Sequence, residues 1–202
     1  MLREVFLGKS PSHFQVNPIV KAFIISESFV WAAWNFISPI FAIFAVRNIV
    51  GGQIQIAASG YSVHLLVRVI AELVIARIAS SGSDRKLLLL TISGILLVTV
   101  AYIGFIFTTT IPQLFLFYAV AGLGFGIASP PKGSLFATHL DHKKATVEWG
   151  LADATSFVSI AMAAALGGFI AEAYGFRVLF VLSAIINVIS VIPYTLFVIK
   201  KS

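Results

Sequence analysis

The sequence predicts an all-α, polytopic membrane protein with six transmembrane helices arranged as two three-helix units. Three observations predict it. Of 202 residues, 59% are hydrophobic and 11% charged, with a mean hydropathy of +1.00, whereas soluble domains are about 25% charged. The apolar residues run in long stretches without a water-facing period, and a bilayer core takes about 20 residues of helix. The breaks between stretches hold glycine, proline or charge. At this length the chain has room for six spans and no separate soluble domain.

Composition also excludes. With no cysteine, disulfides and thiolate metal ligands are ruled out. The +6 net charge sits at helix ends, the pattern of membrane orientation, so no nucleic-acid partner is expected. The motifs HExxH, GxSxG and Walker A are missing from the sequence, so no enzyme, cofactor or metal centre is expected.

Residues 1–18 read as a cytoplasmic N-terminal segment, interrupted by Pro11 and Pro18 and lacking the compact apolar core of a cleavable signal. Residues 19–200 form the transmembrane domain. The spans fall at 19–47, 53–79, 87–108, 112–139, 146–172 and 177–199.

On the first span Glu27, Trp31, Trp34 and Ser38 step by four, three and four, with Asn35 beside them. A carboxylate, two amphipathic rings and an amide on one face suit a substrate pocket; alternatively the indoles pack against neighbouring helices. Pro39 clashes with the Asn35 carbonyl and kinks the span. On the second span His64, Arg68 and Glu72 lie four apart, as a neutralised structural pair or a proton or substrate path. The third span holds no interior charge.

On the fourth, Tyr118, Gly122, Phe125, Ser129, Lys132, Phe136 and His139 share a stripe. Pro130-Pro131 is expected to interrupt this helix and free the carbonyls of Gly126 and Ile127, as a hinge or a static kink. Gly122, Gly124 and Gly126 read as close helix packing, because they lack the strand of a dinucleotide loop. The fifth span carries Glu148 and Asp153 and a small-residue stripe, Ala152, Ser156, Ser159, Ala163, Gly167 and Ala171. Such a stripe is a helix-packing interface, within one bundle or as a seam against a second. The sixth holds no interior charge.

A charge at mid-bilayer costs about 2.5–3.5 kcal/mol. The first, second, fourth and fifth spans should therefore face water or one another, while the third and sixth can face lipid. Lysine and arginine set the orientation. Arg3, Lys9, Lys21, Arg77, Arg85, Lys86, Lys143, Lys144, Lys200 and Lys201 fall on one side, and Arg47 and Arg177 on the other. That asymmetry predicts a multi-pass protein of the plasma (inner) membrane with both termini cytoplasmic.

The run from Gly150 to Phe180, with Gly167, Gly168, Gly175, Phe176, Arg177 and Phe180, resembles the fifth and sixth helices of a six-helix half of the major facilitator superfamily. Between the second and third spans, Arg77 to Leu87 is similar to that family's loop signature in degenerate form. The terminal basic pair survives as Arg85 and Lys86, Arg77 stands at the usual glycine, and Ser81 stands at the usual aspartate unless Asp84 substitutes from a shifted place. The resemblance implies that the first and fourth helices line a cavity, the second and fifth flank an interface, and the third and sixth lie outside. It implies secondary active transport of a small solute by a half-size protein, working as a homodimer or with another six-helix half. The alternatives are a non-transporting scaffold or partner subunit, and a fragment of a twelve-helix transporter. Candidate substrate or coupling residues are Glu27, Trp31, Trp34, Asn35, Arg68, Glu72, Lys132 and Asp153, with Glu27, Lys132 and Asp153 at similar depth.

Overall fold

Eight helical segments build the computed structural model, which describes residues 16–200. They are α1 (Pro18–Asn35), α2 (Phe41–Asn48), α3 (Ile54–Ala79), α4 (Asp84–Phe107), α5 (Ile111–His139), α6 (Ala145–Tyr174), α7 (Phe176–Ile189) and α8 (Ile192–Lys200). Almost all of the expected N-terminal segment, including Arg3 and Lys9, lies outside the described residues, as does Lys201.

Local sequence accounts for the boundaries. Asn17 caps α1 by accepting from the Ile19 amide at 2.9 Å, with Pro18 in the first turn, where its missing N–H costs nothing. Thr110 and Gln113 form a capping box at the start of α5. Gly175, at φ 84°, ends α6, a left-handed conformation that glycine adopts without a Cβ penalty.

Five stretches are long and apolar enough to cross a membrane: Pro18–Asn48, Asp84–Phe107, Ile111–His139, Ala145–Tyr174 and Phe176–Leu196. Helix α3, the second pass, is not among them and carries Arg68, Glu72 and Arg77. Its 26 residues nevertheless extend about 39 Å at 1.5 Å per residue. It also runs between the same two ends of the bundle as α5. At one end the Val50 amide donates to the Thr109 carbonyl at 2.9 Å. At the other, Asp84 meets His139 at 3.2 Å. Six helical passes therefore connect the two ends.

The first pass breaks where expected. Pro39 sits in a short 3₁₀ turn, Ser38–Ile40, between α1 and α2. Two expectations need correction. Pro130 and Pro131 do not interrupt α5, which is helical from Ile111 to His139. Close packing against α3 and α4 on two sides holds the helix through the loss of two donors. Conversely the sixth pass, expected as one helix, breaks at Ser190–Val191. Pro193 has no N–H for the Ile189 carbonyl and crowds it. At this break the buried Ser190 carbonyl accepts from the Ser26 hydroxyl at 2.7 Å.

Helix α5 packs against α3 and α4, α1 against α6 and α7, and α4 against α7. Exchanging the first pass with the fourth, the second with the fifth and the third with the sixth maps these neighbours onto one another. This is the pairing expected of two inverted three-helix repeats. Glycine sets the closest crossings. A Cβ on Gly124 would lie 2.7 Å from the Gly94 carbonyl, one on Gly126 2.7 Å from the Arg68 carbonyl, and one on Gly122 would strike the His64 carbonyl. Backbones that close admit no side chain.

The stripe on α6 also packs within this bundle. Ala163 is buried, and a Cβ on Gly167 would strike the Phe36 carbonyl. Ser156 and Ser159 are half-buried. At Ala163 and Gly167 the stripe seats α6 on the first pass.

The outward faces differ from the sequence expectation in one respect. Helices α4 and α7 do show apolar outer faces, Leu89, Leu96 and Ile103 on one and Val181, Ile185 and Val188 on the other. Their inner faces carry buried polar groups. Asn187 donates to the Ile95 carbonyl at 2.8 Å and to the Thr99 hydroxyl at 2.9 Å. The least covered helices are α3 and α6, which expose Leu66, Val69 and Leu73, and Phe157, Val158 and Met162.

Candidate functional site

The first and fourth passes meet at an ion pair. Lys132 on α5 donates to both carboxylate oxygens of Glu27 on α1 at 2.7 Å. Both side chains are largely buried, at 13% and 7% exposure, so each charge depends on the other for compensation. Toward the Asp84 end, Phe23 stacks on Phe136 at 4.2 Å, and Trp149 meets Phe136 edge-on at 4.6 Å. These rings, one turn beyond each member of the pair, cover it from that side.

A cavity of about 310 Å³ opens beside the pair, between α1 and α6, lined by Glu27, Trp31, Asp153 and Ser156 among others. Asp153 is exposed there. Glu27 and Asp153 thus line one cavity, and Lys132 is tied to it through its pair with Glu27. Trp31 joins them, while Asn35 turns back to donate to the Trp31 carbonyl at 2.9 Å.

Arg68 and Glu72 form a second pair. Arg68 Nε donates to Glu72 Oε1 at 2.8 Å, and Arg68 Nη2 donates to Ser129 of α5 at 3.2 Å. Both side chains are about one-third exposed. They lie where α3 meets α5, with the Arg68 guanidinium 5.6 Å from the Phe125 ring centre, apart from the Glu27 compartment.

Trp34 belongs to another cluster, nearer the Val50 end. Its indole stacks on His64 at 4.9 Å, and His64 stacks in turn on Tyr61 at 5.7 Å. Phe125 meets Trp34 edge-on at 5.2 Å. A second cavity of about 320 Å³ lies here, lined by Trp34, Phe41, Tyr61, Tyr102, Phe105 and Tyr118 with small residues of α3. Sequence reasoning found Trp34 and missed the other five as a group. They come from α2, α3, α4 and α5, and no spacing within one helix signals that convergence. It also treated the sixth pass as featureless, although Ser183, Asn187, Ser190 and Tyr194 step by four, three and four and are all buried. That polar stripe was legible, but it contains no charge.

The loop motif is structural in this geometry. Lys86 donates to the Ile78 carbonyl at 2.8 Å, capping the end of α3, while Arg85 is exposed. Asp84 faces His139 Nε2 at 3.2 Å, tying α4 to the end of α5. In the neighbouring loop Glu148 is buried and accepts from the Asp141 amide at 3.0 Å. Among the described residues no group of three or more His, Asp or Glu side chains could hold a metal ion.

Two ion pairs, Glu27–Lys132 and Arg68–Glu72, and two cavities thus lie among the passes of a six-pass bundle. The sequence profile of the Major Facilitator Superfamily matches residues 23–202. A comparison with curated proteins gives no match. The matched region covers every pass from the second turn of α1 onward, and members of that family are transporters, not enzymes. This multi-pass membrane chain belongs to the major facilitator superfamily of transporters.

Proposed function

We propose that the chain is one six-helix half of a secondary active transporter for a small solute. In this reading it lies in the plasma (inner) membrane with both termini in the cytoplasm. A second six-helix half, a second copy of this chain, closes the cavity. The observation that carries the reading is the Glu27–Lys132 pair at 2.7 Å beside the cavity that also holds Asp153. Protonating Glu27 removes the attraction that holds Lys132, so a proton and a change of packing between α1 and α5 are linked. Asp153, exposed to the same cavity, offers a second proton acceptor at similar depth. The pairing rests on the open faces of α3 and α6: Asp153 is exposed on α6, and the Arg68–Glu72 pair at the edge of α3 is about one-third exposed. Charges there cost about 2.5–3.5 kcal/mol each against lipid, so another protein surface or water must meet them. The basic residues Arg77, Arg85, Lys86, Lys143 and Lys144 gather at the Asp84 end, which supports a cytoplasmic assignment for that end.

The test is solute flux in reconstituted vesicles under an imposed pH gradient, with solutes chosen by screening. Glu27→Gln and Asp153→Asn should each abolish gradient-driven flux while the protein stays folded by circular dichroism. Wild-type flux and pH dependence in both variants would refute the coupling role. No flux of any solute by the wild-type chain would favour a non-transporting scaffold or partner subunit. A mature protein of about twice this length in its native membrane would identify a piece of a twelve-helix transporter.

A further inference from the structure

The cavity near the Val50 end has a chemistry of its own. Six aromatic rings line it, Trp34, Phe41, Tyr61, Tyr102, Phe105 and Tyr118, and no charged side chain does. The charges of the bundle are committed elsewhere: Glu27 to Lys132 at 2.7 Å, and Arg68 to Glu72 at 2.8 Å. A carboxylate or ammonium group entering here would lose its hydration and meet no counter-charge. The walls are also ordered for stacking. Trp34, His64 and Tyr61 form a near-parallel file, with interplanar angles of 21° and 12°. Offset ring stacking adds to the gain from burial.

One polar group of the wall is unpaired. The Tyr102 hydroxyl is buried and has no hydrogen-bond partner. Tyr102 is 1% exposed and lines the cavity. An unpaired buried hydroxyl is costly, so a ligand acceptor that meets it is favoured over one that does not. The cavity volume of about 320 Å³ lies at the low end for small-molecule pockets, which limits the occupant to one or two rings.

We propose that this cavity binds an uncharged aromatic solute of one or two rings, held by stacking among the Trp34, Tyr61 and Tyr118 rings and by an acceptor on the Tyr102 hydroxyl. This substrate class rests on the transporter reading above, but its binding step is measured separately from transport.

The probe is 2-naphthol, with 2-naphthoate and N-methylquinolinium as an anion and a cation of similar ring size. The chain has three tryptophans, so the double variant Trp31→Phe, Trp149→Phe leaves Trp34 as the single reporter. In detergent and in vesicles, 2-naphthol should quench Trp34 fluorescence saturably, and the two ions should compete at least tenfold more weakly. Tyr102→Phe removes the hydroxyl and keeps the ring, and should weaken 2-naphthol about tenfold, the scale of one neutral hydrogen bond. Ala57→Phe fills the cavity and should abolish saturable quenching. Non-saturable quenching in every variant shows partition into detergent or lipid and overturns the proposal, as does tighter binding of either ion. Should Ala57→Phe fail to fold, Tyr102→Phe decides alone: unchanged affinity overturns the hydrogen-bonded site. Saturable binding without flux would leave this site standing and count against the transporter reading. Flux of other solutes without 2-naphthol binding would do the reverse.

Discussion

Removing Lys132 while keeping Glu27 is the sharpest perturbation this bundle offers. The ammonium meets both carboxylate oxygens at 2.7 Å, and Glu27 is 5% exposed as a residue. Lys132→Met preserves the stem volume and leaves a carboxylate among Phe23, Trp31 and Trp149 with its cation gone. Breaking a buried pair from one side costs about 3–5 kcal/mol. Replacing both partners with apolar residues is often neutral or stabilising, so Glu27→Leu with Lys132→Met should return stability to near wild type. The assay is a double-mutant cycle by equilibrium unfolding in mixed detergent micelles, which isolates the coupling between neighbours. The expected coupling is large, because the double variant should be more stable than the Lys132→Met single. If Lys132→Met costs less than about 1 kcal/mol, or if the two single effects simply add, the pair is not mutually dependent. The coupling mechanism built on it would then fail.

Other perturbations test the fold and its assembly. Gly122→Ala should destabilise by about 1–3 kcal/mol through a clash with the His64 carbonyl, whereas Gly168→Ala, with nothing within 4 Å of its Cβ, should be neutral or stabilise by up to about 1 kcal/mol; thermal unfolding in detergent compares them, and equal losses would refute the packing argument. Asn187→Leu removes two hydrogen bonds between the third and sixth passes and should cost less than about 2 kcal/mol, since interhelical bonds in membranes average about 0.6 kcal/mol; a larger loss in the same assay would show a wider polar network. Single cysteines at Leu66, Val69 or Leu73 of α3, exposed positions in a chain without native cysteine, should cross-link in the membrane to cysteines at Phe157, Val158 or Met162 of α6 in a second copy. Recovery of monomer alone from every combination would rule out that face. A C-terminal reporter active only outside the cytoplasm should stay silent, and its activity would invert the topology.

Much of this architecture was legible in one dimension because the bilayer removes alternatives. With no water in the hydrocarbon region, every backbone group must pair internally, so long apolar stretches read directly as helices. Pro39 announced the break in the first pass by the same local rule. The glycines of α5 announced close crossings, since a residue without a side chain in a lipid-phase helix has few other uses. The grouping of Glu27, Lys132 and Asp153 was legible for a similar reason: charges in lipid must find one another or water.

What the sequence left open depends on which helix lies beside which. Pro130-Pro131 reads as a break when α5 is considered alone, but packing against α3 and α4 keeps it helical. Pro193 breaks the sixth pass because Ser26, on another helix, accepts the role of partner for the Ser190 carbonyl. The small stripe of α6 fits a seam or an interior equally well as a pattern. The Phe36 carbonyl opposite Gly167 decides for the interior. The aromatic cavity is the extreme case, because its rings come from α1 to α5 and approach only when the two three-helix units interlock. Composition and period alone determined a six-pass helical membrane protein with charges on its inner faces, since those follow from the cost of polar groups in lipid. Tertiary structure decided which charges pair and where space remains, since both depend on side chains far apart in the chain and adjacent only in the packed bundle.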